Sequence, residues 1–272
     1  MKTGFKLLYL IFLITLAACE EVVDMDLESS EPRLVIDATI TEGVPCQVIL
    51  SRSQDFYNNN GYERVSGKLV ILRDDIGHTE VLKESGRGVG LYISATRGIA
   101  QRRYYISVFD EEKVYEANAK IPKAVPVHDL YLYNVKIGKD DHYSPCIVYN
   151  DPPKEENFYY NVLYVNGRQM RSIYLSDDKY RDGLTVERIM YFNKEDNNDE
   201  EIKVGDIIKV EMQSMDKGAY TYYESLSSVA AGGGTNPLTN LTGGALGCFK
   251  AYNTHYFEKQ IREEDMFDPK AK

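Results

Sequence analysis

Arg33-Leu34-Val35-Ile36-Asp37-Ala38-Thr39-Ile40, a break from Gly43 to Pro45, then Cys46-Gln47-Val48-Ile49-Leu50-Ser51-Arg52: both runs are short, rich in β-branched residues and bounded by turn formers. Strands of an all-β domain read this way. The pattern then repeats at intervals of about ten residues. Asn58-Asn59-Asn60-Gly61 supplies a loop, because asparagine and glycine tolerate positive φ. Lys68 to Arg73 and His78 to Leu82 follow, joined by the hairpin signal Asp74-Asp75-Ile76-Gly77. Gly90 to Ser94, Tyr104 to Val108 and Val114 to Ala117 complete the set, and no helical run interrupts it.

Seven short strands in succession predict an immunoglobulin-like β-sandwich over residues 33–123. Pro122 and Pro126 then form a stiff connector, since proline fixes φ and cannot enter a central strand. A domain boundary near residue 124 is expected there, with a second β-rich domain over 124–272 that carries one helix. Its candidate strands are Leu130 to Ile137, Tyr143 to Tyr149, Asn157 to Val165, Gln169 to Leu175, Val186 to Phe192 and Ile207 to Met212. Asn157 to Val165 is apolar or aromatic on both alternating sets, which predicts burial of both faces, and Asn166-Gly167 after it predicts a hairpin. The helix falls near 216–231. Asp216 caps it, Ala219, Tyr222, Tyr223, Leu226, Val229 and Ala230 give a stripe at helical spacing that reads as core packing, and Gly232-Gly233-Gly234 ends it.

The first eighteen residues read as a cleaved secretory signal. Lys2 and Lys6 give a cationic start, Leu7 to Leu16 an apolar run too short for a permanent span, and Ala17-Ala18 small residues before the cleavage point. Leu16-Ala17-Ala18-Cys19 resembles the bacterial lipobox, and that resemblance implies Cys19 as the site of lipid attachment. The acyl chains would then be the membrane anchor. Residues 19–32, with Glu20, Glu21, Asp24, Asp26, Glu28 and Glu31, read as a flexible acidic tether.

Acidic residues outnumber basic ones by 42 to 32 over 272 residues, and loss of Lys2 and Lys6 with the signal takes the mature chain nearer −12. Such a surface repels phosphate backbones, so no nucleic-acid partner is expected. With Cys19 acylated, Cys46, Cys146 and Cys248 remain, so at most one intrachain disulfide can form. Cys146 and Cys248 are the better pair, since both lie in the second half. His78, His128, His142 and His255 are scattered, and no metal-ligand spacing appears. The Gly86, Gly88, Gly90 run sits between strands and reads as a hairpin loop rather than a phosphate cradle. Glu195-Asp196-Asn197-Asn198-Asp199-Glu200 lacks calcium-loop spacing and reads as a solvated loop. The pairs Asp74–Asp75 and Asp177–Asp178 read as turn residues rather than a glycosidase couple. No enzyme activity, cofactor or metal is expected. Tyrosine is the outlier, at 22 residues with no tryptophan, and is assigned more to sheet and core packing than to an interface.

Taken as a set, the Leu16-Ala17-Ala18-Cys19 lipobox, the acidic tether, Arg33-Leu34-Val35-Ile36-Asp37, Leu50-Ser51-Arg52-Ser53, Asp151-Pro152 with Glu156-Asn157-Phe158-Tyr159, and Gly243-Gly244-Ala245-Leu246-Gly247 resemble a Bacteroidota family of outer-membrane lipoproteins of unknown function. Members are often encoded near TonB-dependent receptors. The resemblance implies an outer-membrane, lipid-anchored protein facing outside, and a non-enzymatic binding or accessory subunit of TonB-dependent nutrient uptake. The alternative is a structural, adhesive or assembly lipoprotein of the envelope without a small ligand. It carries over no catalytic residues.

Overall fold

The computed structural model describes residues 31–54, 61–137, 140–233 and 236–269. The expected signal, Cys19 and most of the tether lie outside the described residues. Residues from Pro32 onward form one compact unit. Its first part contains β1 (Leu34–Thr41), β2 (Pro45–Arg52), β3 (Leu69–Asp74), β4 (Thr79–Val81), β5 (Lys83–Glu84), β6 (Leu91–Arg97), β7 (Arg103–Asp110) and β8 (Lys113–Lys120). The second part adds β9 (Val127–Ile137), β10 (Asp140–Asn150), β11 (Phe158–Val165), β12 (Arg168–Gln169), β13 (Tyr174–Asp177), β14 (Thr185–Ile189), β15 (Ile207–Met215), helix α1 (Lys217–Ala230), β16 (Leu246–Gln260) and β17 (Met266–Phe267).

Local signals decide the hairpins. Asp74 Oδ1 accepts the Ile76 and His78 amides at 3.2 and 2.9 Å, which closes the β3–β4 turn. Asn166 and Gly167 both take positive φ, at 50° and 80°, and join β11 to β12 by the two-residue turn whose twist matches the strands. The Asp216 carboxylate caps α1 by accepting the Ala219 amide at 3.2 Å, as its position predicts.

Three sheets result among the described residues, and the mainly β class is as expected. The longest runs β12-β11-β15-β16-β1-β2-β6-β5, with β13 also paired to β11. The others run β4-β3-β7-β8 and β14-β10-β9-β17. Alternation explains their stacking, because residues two apart share a face. Ile36, Ala38 and Ile40 of β1 with Phe249 and Ala251 of β16 share one core with Val70, Leu72, Tyr104, Ile106 and Val108 of the β4-β3-β7-β8 sheet. Leu163, Ile208, Val210 and Met212 form a second core with Leu130, Leu132, Ile147 and Tyr149 of the remaining sheet, and Phe257 of β16 packs against it. Both smaller sheets therefore lie on one face of the long sheet, side by side.

Neither the first core, which takes in Leu241, Ala245, Phe249 and Ala251, nor the long sheet stops at residue 124. β1 pairs in parallel with β16, Ala38 opposite Phe249, so residues 33–123 are not a self-contained immunoglobulin-like module: their first strand is internal to a sheet completed by the C-terminal part. Gly247 makes this approach possible. Its φ is +96°, and a Cβ there would stand 2.1 Å from the Ile36 carbonyl oxygen. The proline connector is likewise fastened to the sheet: the Val125 amide donates to Ser214 Oγ at 3.3 Å and the Val127 amide to His255 Nδ1 at 3.2 Å.

Two expected strands are shorter than their sequence suggests. Gln169 to Leu175 breaks between β12 and β13, and Val186 to Phe192 becomes β14, which ends at Ile189. Cys46, Cys146 and Cys248 are all buried and free, so the favoured Cys146–Cys248 bridge is absent.

Candidate functional site

The face of the long sheet opposite the two cores carries α1. Phe158 and Tyr160 of β11, Met215 of β15 and Cys248 and Tyr252 of β16 point to this side, where Ala219, Tyr220, Tyr222 and Tyr223 of the helix meet them. Phe158 packs on Tyr220 with ring centres 4.9 Å apart, and Tyr160 on Tyr223 at 5.3 Å. A helix with a single fully buried residue, Ala219, thus rests on a bed of rings.

A lysine lies within that bed. Lys250 is 7% exposed, and its Nζ stands 4.5, 4.8 and 5.0 Å from the ring centres of Tyr252, Tyr160 and Tyr223. The negative faces of these rings hold the cation. One acceptor completes the setting: Nζ donates to Gln213 Oε1 at 2.5 Å, and Gln213 Nε2 in turn donates to Glu211 Oε1 at 2.7 Å. Burial pushes the Lys250 amine down to about 8, against the pull of Glu211 and more distant acids. Burial also raises the Cys248 thiol, with Asp216 and Asp37 adding to the effect, so Cys248 is a poor nucleophile. Asp216 links helix to sheet: Oδ2 caps α1 while Oδ1 accepts the Ala251 amide at 2.9 Å. Burial outweighs these backbone donors and pushes its carboxyl up to about 6.

Beside the start of α1 opens a cleft of about 620 Å³. Arg103, Lys120 and Lys123 line one side, and Pro152, Asn157 and Phe158 the other, with Asp216 between them. Lys217 and Glu156 at its rim pair at 3.1 Å. The cleft is therefore built where the β8 end and the proline connector face the loop before β11. It offers cations, an amide and a ring to a ligand, the mixture by which binding sites orient polar molecules.

Of the sequence segments singled out above, Pro152 and Glu156-Asn157-Phe158 line the cleft, and the other described ones serve elsewhere in the sheet. Arg33 Nε and Nη2 both donate to the Gly244 carbonyl, at 3.1 and 2.6 Å, beside the β1–β16 pairing. Asp151 Oδ1 accepts the Tyr159 hydroxyl at 2.5 Å, and Asn157 Nδ2 donates to the Pro152 carbonyl at 3.0 Å, so the residues around 151–159 clamp one loop. Asp151, Asp178 and Asp182 bring carboxylate oxygens within 4.8 Å of one another, a grouping that could hold a cation. Protein donors already engage each of them: Tyr159 for Asp151, the Asn157 amide for Asp178 at 2.9 Å and the Lys154 amide for Asp182 at 2.7 Å. They therefore account for themselves as loop ties.

The other acidic runs behave as turns. Residues Lys194–Asn197 form a short 3-10 helix, Asp74 ties its own hairpin and Asp177 Oδ1 accepts the Lys179 amide at 3.3 Å. Gly90 closes the loop after β5 by donating to Glu84 Oε1 at 3.0 Å. Lys250 and Gln213 were not singled out by the sequence. The available signal was a charged residue inside the apolar run Cys248-Phe249-Lys250-Ala251. Among the described residues no helix is long and apolar enough to cross a membrane.

No curated protein matches the sequence. The profile of the Domain of unknown function (DUF4249) matches residues 20–257, which takes in every strand up to most of β16, the helix and the cleft, and the chain belongs to that family.

Proposed function

We propose that the chain is a lipid-anchored lipoprotein of the outer membrane, facing outside, that serves as a non-enzymatic binding or accessory subunit of a TonB-dependent uptake system. The cleft beside α1 carries the reading, because Pro152, Glu156, Asn157 and Phe158, residues of the segments that mark the lipoprotein resemblance, line it opposite Arg103, Lys120 and Lys123. Leu16-Ala17-Ala18-Cys19 supports the anchor, and the acidic residues that follow support a tether that lets the β-rich unit reach a neighbour.

Affinity purification of the chain from detergent-solubilised membranes tests the partner. Recovery of an outer-membrane receptor, reduced at least about tenfold by the double substitution Arg103→Glu and Lys123→Glu, is the expected result for a charge-dependent contact. Recovery of no receptor overturns the accessory role. Cys19→Ser should move the protein from the membrane to the soluble fraction, and retention on the membrane would remove the lipid anchor from the reading.

A further inference from the structure

We propose that Lys250 and Gln213 become joined by an amide between Nζ and Cδ, an internal cross-link that staples β16 to β15 beneath α1. The inference is independent of the binding role and rests on three features found together. First, the reacting groups are in reach. Lys250 precedes Tyr252 and Gln213 precedes Met215, the residue paired with Tyr252, so the two side chains run toward each other over one strand pair. The Nζ–Oε1 separation is 2.5 Å, and with a carbonyl bond of about 1.23 Å the amine lies no more than about 3.7 Å from Cδ. That is close to the separation from which bond formation proceeds.

Second, water is kept away. Lys250 and Gln213 are 7% and 8% exposed, and Tyr160, Tyr223 and Tyr252 enclose the amine. Burial disfavours the ammonium, so a usable share of the lysine is the neutral nucleophile near pH 8. Third, a carboxylate touches the nitrogen that must leave: Glu211 Oε1 accepts from Gln213 Nε2 at 2.7 Å, and the Tyr164 hydroxyl holds Glu211 Oε2 at 3.3 Å.

The step then balances without an oxidant or co-reactant. The Nζ lone pair attacks Cδ, the Cδ–Nε2 bond breaks, and a proton from Nζ passes through Glu211 to Nε2, which departs as ammonia. Oε1 stays on the new secondary amide. The product removes a cation from a site where no described carboxylate comes within ion-pairing distance of it.

Peptide mass spectrometry of the purified, folded full chain tests it. Trypsin would leave residues 210–217 linked to 218–259, uncut after Lys250, at a mass about 17 Da below the sum of the two, one ammonia. Lys250→Arg and Gln213→Ala should each abolish the linked species, and Glu211→Gln should slow its appearance about a hundredfold. Free 210–217 and 251–259 peptides from wild-type protein, persisting after prolonged incubation of the folded chain at pH 9, overturn the cross-link. A linked species that survives Gln213→Ala overturns the assigned acceptor, and an unchanged rate in Glu211→Gln overturns the role of Glu211.

Discussion

β1 and β16 show two different interiors on their two faces. On one face Ile36, Ala38, Ile40, Phe249 and Ala251 enter an apolar core, where the buried charges Asp74 and Asp110 sit at strand ends paired with Arg102 and with Arg52 and Lys68. On the other, Cys248, Lys250 and Tyr252 lie under a helix, among tyrosines, an amide and a carboxylate cap. The backbone is the same, and the alternation of side chains alone separates them. The first face contributes stability through volume filled, whereas the second contributes by satisfying polar groups that burial would otherwise penalise. The second face holds an amine lowered and a carboxyl raised by burial, with no ion-pair partner for either among the described residues, which is where chemistry in this molecule should be sought.

The largest expected effect falls on the face that enters the apolar core. Phe249→Ala should cost about 4 kcal/mol in urea unfolding, because a fully buried ring leaves a cavity between two sheets. If Tyr252→Ala cost as much, the two faces would not differ as described. Next comes the seam between the strands: Gly247→Ala should lose about 3 kcal/mol through strain at positive φ and collision with Ile36.

Asp216 then distinguishes the faces by pH. Its carboxyl is raised from 3.8 to about 6 on folding, so the protonated form is the one the native state favours. Its contribution is fullest below about pH 4 and is lost as pH rises through 6. Between pH 7 and pH 4 the wild type should therefore gain about 2 kcal/mol relative to Asp216→Asn in paired urea melts. An unchanged difference would mean that this face is wetter than its packing implies. The smallest effect belongs to the rim of the cleft: Glu156→Ala, which breaks an exposed pair with Lys217, should shift stability by no more than about 0.5 kcal/mol.

What the sequence revealed follows the reach of each interaction. Asp74-Asp75-Ile76-Gly77, Asn166-Gly167 and the Asp216 cap act over a few residues, and each is where its residue types place it. The both-faces-apolar run at Asn157 to Val165 predicted double burial, and β11 indeed serves a core with Leu163 and the ring bed with Tyr160. The far half of β16 was not readable. Asn253-Thr254-His255-Tyr256 is polar because one face stays open and the other ties the connector, through Asn253 Nδ2 to the Pro122 carbonyl and His255 to Val127. Parallel pairing of β1 with β16 leaves no local trace at all. Lys250 could be noticed as a charge in an apolar run, yet its ring partners come from β11, α1 and β16, which only the fold assembles.

That parallel pairing also sets a timetable. Val35 to Thr41 emerge early in synthesis, while their partners Leu246 to Tyr252 come roughly two hundred residues later. Until then one edge of β1 presents unpaired amides and carbonyls, the kind of edge that recruits foreign strands. High contact order of this sort makes folding slow. A chain truncated before Gly247 would retain nearly every strand of its first core and still be expected to aggregate, because the last long strand to be made closes the edge of the first.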